Sequence, residues 1–328
     1  MNDMLAPALA LLLGIVILVI SAEKFVEGAA AMAKRLGLPP LLIGMLVIGF
    51  GSSMPEMVIS ALSAYGGNPG LALGNAFGSN ISNIALILGL TAVMTPIVVA
   101  SSVIRRELPF LFVLTLLLAG LLYMDGNLSR LDGILLMVLF SGIMGWSIYA
   151  GLKTESDALA EEIEQQLATP LTLTRAATYT GLGLIFLVIS SRILVWGGVE
   201  IATSLGISDL IIGLTIVAIG TSLPELAASI TAVRKGEHDL ALGNVIGSNM
   251  FNTTIVIGIT GLIAPTELDP AILTRDIPVM MILTAALFVM AYNYRGNENG
   301  IINRFEGGLL LFAYAAYNIG LVYSVTSA

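Results

Sequence analysis

The sequence predicts an all-α polytopic membrane protein of about ten transmembrane helices, built as two inverted five-helix repeats. Three observations carry that expectation: a composition too apolar for water, apolar runs of span length along the whole chain, and a match of the chain to itself at a fixed offset. Of 328 residues, 57% are hydrophobic and 11% charged, where a soluble domain carries about a quarter charged. Mean hydropathy is +0.95, so lipid must be the main solvent. The net charge of -8 says little about partners, because charges of a membrane protein count by side of the bilayer. With no cysteine, disulfides and thiolate metal sites are excluded.

A ~30 Å hydrocarbon core takes about 20 helical residues to cross. Apolar runs of that order fall at 5–22, 40–64, 70–95, 107–124, 133–151, 176–196, 209–232, 240–264, 277–294 and 307–325. The first is expected to be a retained helix rather than a signal peptide, since Met1 to Leu5 carries Asp3 and no Lys or Arg. Basic residues set the orientation. Of the 14, Lys24, Lys34, Arg35, Arg105, Arg106, Lys153, Arg175, Arg234, Lys235, Arg295 and Arg304 fall with the odd-to-even loops, and only Arg130, Arg192 and Arg275 on the other side. Both termini are therefore expected outside the cytoplasm of a prokaryotic plasma (inner) membrane. The acidic stretch Thr154 to Ala168 lies inside it as a solvated tether. The division is a first repeat over 1–151, a cytoplasmic linker over 152–175 and a second repeat over 176–328.

Slid by 169 residues, the chain matches Gly14 to Gly183, Ser21 to Ser190, Gly28 to Gly197, Gly37 to Gly206 and Gly44 to Gly213. The register runs on without a gap through Pro55 and Pro224, Gly89 and Gly258, Pro96 and Pro265, Arg106 and Arg275, and Tyr123 and Tyr292. It then slips by five, where RLDG at Arg130 meets RFEG at Arg304. An odd number of spans per copy sends the second copy through the bilayer from the opposite side. That arrangement supplies the two near-equivalent conformations of alternating access.

The strongest match lies in the second and third spans of each copy, IGMLVIGFGSSMPE with GNAFGSNISN and IGLTIVAIGTSLPE with GNVIGSNMFN. Glu56 and Glu225 stand near mid-span, where an ionised carboxylate costs about 2.5 to 3.5 kcal/mol on insertion scales. Each needs a compensating partner. No Lys or Arg is expected at that depth, which points to a bound cation or a proton. Three, four and seven residues before Glu56 stand Ser53, Ser52 and Gly49; before Glu225, Ser222, Thr221 and Ala218. These share one helical face. Pro55 and Pro224 have no N–H to offer the carbonyls four residues earlier, those of Gly51 and Gly220, and are expected to open the turn there. In the next span Asn75, Ser79 and Asn83, and their counterparts Asn244, Ser248 and Asn252, recur every four residues as a polar stripe. Beside them Gly74 and Gly78, or Gly243 and Gly247, have GxxxG spacing, which on its own is generic close packing. Oxygen ligands without His or Cys suit Na+, Ca2+ or Mg2+.

These paired motifs resemble the two alpha-repeats of the Ca2+/cation antiporter superfamily, and most nearly its bacterial inner-membrane Na+/Ca2+ exchanger-like members. The resemblance implies a ten-helix fold with four ion positions between the copies. It puts ligands on Gly49 (carbonyl), Ser52, Ser53, Glu56, Ser79 and Asn83, and on Ala218 (carbonyl), Thr221, Ser222, Glu225, Ser248 and Asn252. Some members carry aspartate where this chain has Asn252, so two carboxylates remain, enough charge for one Ca2+ or two Na+. The proton-coupled branch typically has an acidic residue in its GN motif, which GNAFGSN lacks.

The expected function is secondary antiport of Ca2+ against Na+ by alternating access, with the first and sixth spans, which keep the small residues Gly28 and Gly197, as the sliding elements. Alternatives are H+- or K+-coupled exchange of Ca2+ or another cation, and a cation channel, which has no need of inverted repeats. An enzyme is not expected. His238, the only histidine, is read as a solvated loop residue, leaving no Ser-His pair at depth, and there is no HExxH helix. The expected partners are Ca2+, Na+ and the lipid bilayer, with no cofactor, nucleic acid or obligatory protein partner.

Overall fold

The computed structural model describes residues 5–36, 40–101, 103–154, 171–204, 218–292 and 299–326. The tether over 155–170, the start of the seventh expected span over 209–217, and Gly37, Gly206 and Gly213 of the repeat lie outside the described residues. The helices are α1 (Leu5–Leu36), α2 (Pro40–Ser52), α3 (Met54–Tyr65), α4 (Pro69–Met94), α5 (Val103–Asp125) and α6 (Arg130–Thr154). After the tether come α7 (Leu173–Ser204), α8 (Ala218–Thr221), α9 (Leu223–Arg234), α10 (His238–Ile263), α11 (Ile272–Ala291) and α12 (Arg304–Thr326). Among them α1, α4, α5, α7, α10 and α11 are long and apolar enough to cross a membrane, six in all, or seven if the bent pair α2–α3 counts as one. The fifth and tenth expected spans are helical, as α6 and α12, but not among these.

Several boundaries differ from the sequence expectation. The first span does not stop at residue 22: α1 runs on to Leu36 and carries Lys24 as a helical residue paired with Glu27 at 2.9 Å. Nothing breaks the helix there, and an i,i+3 ion pair lets the charged turns continue in water. The sixth likewise extends from Leu173 to Ser204. The second span is two helices, α2 and α3, bent by 44° at Ser53 (φ −83°, ψ 0°). Ser222 has the same conformation (φ −90°, ψ 5°) between α8 and α9. Pro55 and Pro224 sit in the first turn after each break, where a missing N–H costs nothing. His238 is not a loop residue: it opens α10, and its Nδ1 accepts the Val98 N–H at 3.4 Å.

The packing repeats with the sequence. Strand β1 (Ile97–Val99) pairs antiparallel with β4 (Gly300–Ile302), and β2 (Asn127–Leu128) with β3 (Thr266–Glu267). Offsets of 169 and 174 turn the first pair into the second: Ile97 opposite Ile302 becomes Thr266 opposite Leu128, and Val98 opposite Ile301 becomes Glu267 opposite Asn127. The bond from Leu268 N–H to the Gly126 carbonyl at 3.0 Å continues the same register. Each small sheet joins a loop of one half to a loop of the other. Helix contacts obey the same rule. A methyl at Gly133 of α6 would come within 2.6 Å of the Gly258 carbonyl of α10, and one at the matching Gly307 of α12 within 2.8 Å of the Gly89 carbonyl of α4. Where α1 lies along α7, Phe25 and Leu194 are buried matching residues. Gly28 and Gly197 face the partner helix within that pair rather than the core.

Candidate functional site

The two helix breaks and the middles of α4 and α10 come together in the buried centre. Glu56 and Glu225 follow the breaks by three residues, and each is 1% exposed. The carbonyl of each is held by the amide of the neighbouring long helix. Asn75 Nδ2 donates to the Glu56 carbonyl at 3.2 Å and to Ser60 Oγ at 3.0 Å; Asn244 Nδ2 donates to the Glu225 carbonyl at 3.0 Å and to Ser229 Oγ at 2.8 Å. Each broken helix is thereby pinned to the following span, and the carboxylate side chain is left to point elsewhere. Ser60 and Ser229 were not picked out in the sequence, although both stand four residues beyond a glutamate on the same face.

Bonds between the halves close the cluster. Ser52 Oγ donates to the Ile48 carbonyl at 2.8 Å and approaches Asn244 Oδ1 at 3.1 Å. Ser53 Oγ donates to Glu225 Oε1 at 3.3 Å, and Ser248 Oγ to the Gly49 carbonyl at 3.4 Å. That carbonyl also takes the Ser53 N–H at 3.1 Å. Ser79, Thr221 and Ser222 are buried, and Ala218 opens α8. Asn83 and Asn252 lie in matching wide, π-helical stretches (Ser82–Leu88 and Asn252–Val256), a distortion common at functional positions.

Several buried oxygens of this cluster have no hydrogen-bond partner among the described residues: Glu56 Oε2, Glu225 Oε2, Ser222 Oγ, Asn83 Oδ1 and Asn252 Oδ1, together with Asn252 Nδ2. Orphaned buried polar atoms are costly, about 1–3 kcal/mol each and more when charged. Six of the nine such atoms among the described residues belong to positions picked out in the sequence, the others being Asn80 Oδ1, Thr91 Oγ1 and Glu107 Oε2. No ion pair of either glutamate is found among the described residues. Arg192, inside the expected sixth span, lies within α7 as an exposed residue. The structure also adds Asn80 and Asn249, a matched pair whose amides bond across the halves. The repeated GSN carried them, one residue off the face that a four-residue count selects.

Comparison with known proteins bears on this arrangement directly. The family model described as sodium/calcium exchanger protein matches residues 6–149 and again 176–323, one match per half. The protein CaxA of Alkalimonas amylolytica is 45% identical over 96% of this chain and 98% of its own. The inner membrane protein YrbG of Escherichia coli is 40% identical over 88% of this chain and 89% of its own. A structure of the sodium-calcium exchanger NCX_Mj, soaked with 10 mM Na+ and no Ca2+, superposes with a TM-score of 0.82 at 30% identity, covering 97% of this chain and 99% of that one. With apolar spans, a doubled chain and a buried oxygen-lined cluster, this chain belongs to the sodium/calcium exchanger family of multi-pass membrane transporters.

Proposed function

We propose that the protein is a secondary antiporter that exchanges Ca2+ for Na+ by alternating access, with ten spans arranged as two inverted five-helix repeats. The observation that carries the reading is the pair of buried glutamates, each with one carboxylate oxygen lacking a partner among the described residues, at the meeting of two broken helices. Their two charges match one Ca2+ or two Na+, so the ions compete for one place and occupancy is mutually exclusive. Competition couples the fluxes. An ion-free centre leaves two carboxylates facing each other in a poor dielectric, which disfavours an empty return. The proposed ligands are Ser52, Ser53, Glu56, Ser79, Asn83, Thr221, Ser222, Glu225, Ser248 and Asn252, with the carbonyls of Gly49 and Ala218. These positions lack thiol and imidazole and suit hard cations.

The offset-related sheets and glycine contacts support the inverted arrangement. So do the loops they join: β1 and β4 belong to loops on the basic-rich side, where His238 at the start of α10 also meets β1, and β2 and β3 both to loops on the other. The name of the relative YrbG supports an inner-membrane location. In this reading α1 and α7 slide past the remaining helices and both termini lie outside the cytoplasm. The test is Ca2+ uptake into vesicles loaded with Na+, against K+ and against a proton gradient. Uptake is expected only with internal Na+, and E56Q and E225Q are each expected to lower it at least about a hundredfold, the loss of an uncompensated buried charge pairing. Uptake that follows K+ or pH would overturn the Na+ coupling, and full activity in either variant would overturn the site.

A further inference from the structure

The amides flanking the site are not treated alike by the two halves. Asn83 Nδ2 donates to Asn249 Oδ1 at 3.0 Å, which fixes the Asn83 amide and leaves its Oδ1 as the free end. The 169-residue offset turns this bond into one from Asn252 Nδ2 to Asn80 Oδ1. That bond is absent: Asn252 Nδ2 and Asn80 Oδ1 are both buried without a partner among the described residues. The Asn80 amide instead donates to Thr253 Oγ1 at 3.1 Å and to Met280 Sδ at 3.3 Å. Thr253 and Met280 correspond to Ile84 and Leu111, buried residues with no acceptor. Asn249 Nδ2 reaches a backbone carbonyl, that of Asn80 at 3.5 Å, and its Oδ1 stays on Asn83, while the Asn80 amide is drawn to a hydroxyl and a thioether. The residues that make the difference, Thr253 against Ile84 and Met280 against Leu111, are written in the sequence.

From this we infer that Thr253 is a positioning residue that sets the affinity of the ion site: by holding Asn80, its hydroxyl leaves the Asn252 amide unanchored in the site, whereas Asn249 anchors Asn83. The inference rests on the ion-site reading above and deepens it. Asn83 offers the cation a fixed oxygen. Asn252 must be immobilised when the ion arrives, and immobilising a side chain lowers affinity by about two- to tenfold. Ca2+, which gathers 6–8 oxygens, bears that cost. Asn80, Asn249 and Thr253 touch no ion themselves and act as positioning residues.

The experiment is Na+-dependent Ca2+ uptake by reconstituted full-length protein, read as the half-saturating Ca2+ concentration. T253V keeps the shape and removes the hydroxyl, which frees Asn80 to take Asn252. Its half-saturating Ca2+ is expected to fall about two- to tenfold. T253S keeps the hydroxyl and removes a methyl, and is expected at the wild-type value. I84T gives Asn249 a rival hydroxyl and is expected to raise the value by a similar factor. A T253V value at or above wild type overturns the inference, as does a T253S shift as large as that of T253V, which would trace the effect to packing. If T253V does not reach the membrane, I84T decides: a rise supports the inference and an unchanged value overturns it. E56Q separates the two levels, since an active E56Q removes the ion site itself, whereas an inactive E56Q beside an unchanged T253V removes only the role of Thr253.

Discussion

At the scale of single residues, the matched asparagines Asn75 and Asn244 make the same bonds at different depths of burial. Both amides hold a glutamate carbonyl and a serine, but Asn244 is fully buried with its Oδ1 3.1 Å from Ser52 Oγ across the halves, while Asn75 is half-buried. Removing one partner of a buried bond costs the desolvation of the other, about 1–3 kcal/mol. N244A is therefore expected to lower the thermal unfolding temperature in detergent by more than N75A, and a larger loss in N75A would contradict that ranking. The glutamates and hydroxyls were legible in the sequence because a carboxylate at mid-span has no bland explanation, and because helical spacing gathers Ser52 and Ser53 beside Glu56. The partners of Asn80 and Asn249 were not legible. Which acceptor an amide takes depends on what the other half brings within 3 Å, and no local spacing encodes that.

At the scale of elements, the helix breaks were foreseen from Pro55 and Pro224, but not their sharpness: one span became two helices meeting at Ser53. The lengths of α1 and α7 were misjudged because hydropathy marks where lipid ends, not where a helix ends. Close helix crossings separate glycines that matter from those that do not. At Gly133 an added methyl meets the Gly258 carbonyl at 2.6 Å, backbone that cannot swing aside, whereas Gly142 on the same helix has no described atom within 4 Å of such a methyl. Overpacking of this kind costs about 1–3 kcal/mol. G133A is expected to reduce the yield of monodisperse protein on size exclusion and G142A to leave it unchanged. Equal behaviour of the two would mean that α6 does not approach α10 so closely.

For the molecule as a whole, doubling and orientation came from two independent patterns, the 169-residue offset and the uneven distribution of Lys and Arg. They agree in which loops meet, since each strand pair joins loops assigned to one side. Alkaline phosphatase fused after Ala328 is expected to be active and green fluorescent protein at the same position dark, the signature of an end outside the cytoplasm; the reverse would invert the proposed topology. The linker carried little information in its sequence beyond acidity and polarity.

The cross-half strand pairs bear on how the chain is made. Ile97 waits for Ile302, and Leu128 for Thr266, so the edges offered by the first half have no partner while the ribosome works through the rest. With roughly two hundred residues between Ile97 and Ile302 and synthesis at about 5–20 residues per second, that wait is on the order of 10–40 s. Throughout it the nascent first half holds open backbone edges and the glutamate of an unfinished site. Substitutions that slow or weaken the late closure are therefore expected to lower abundance before they lower turnover.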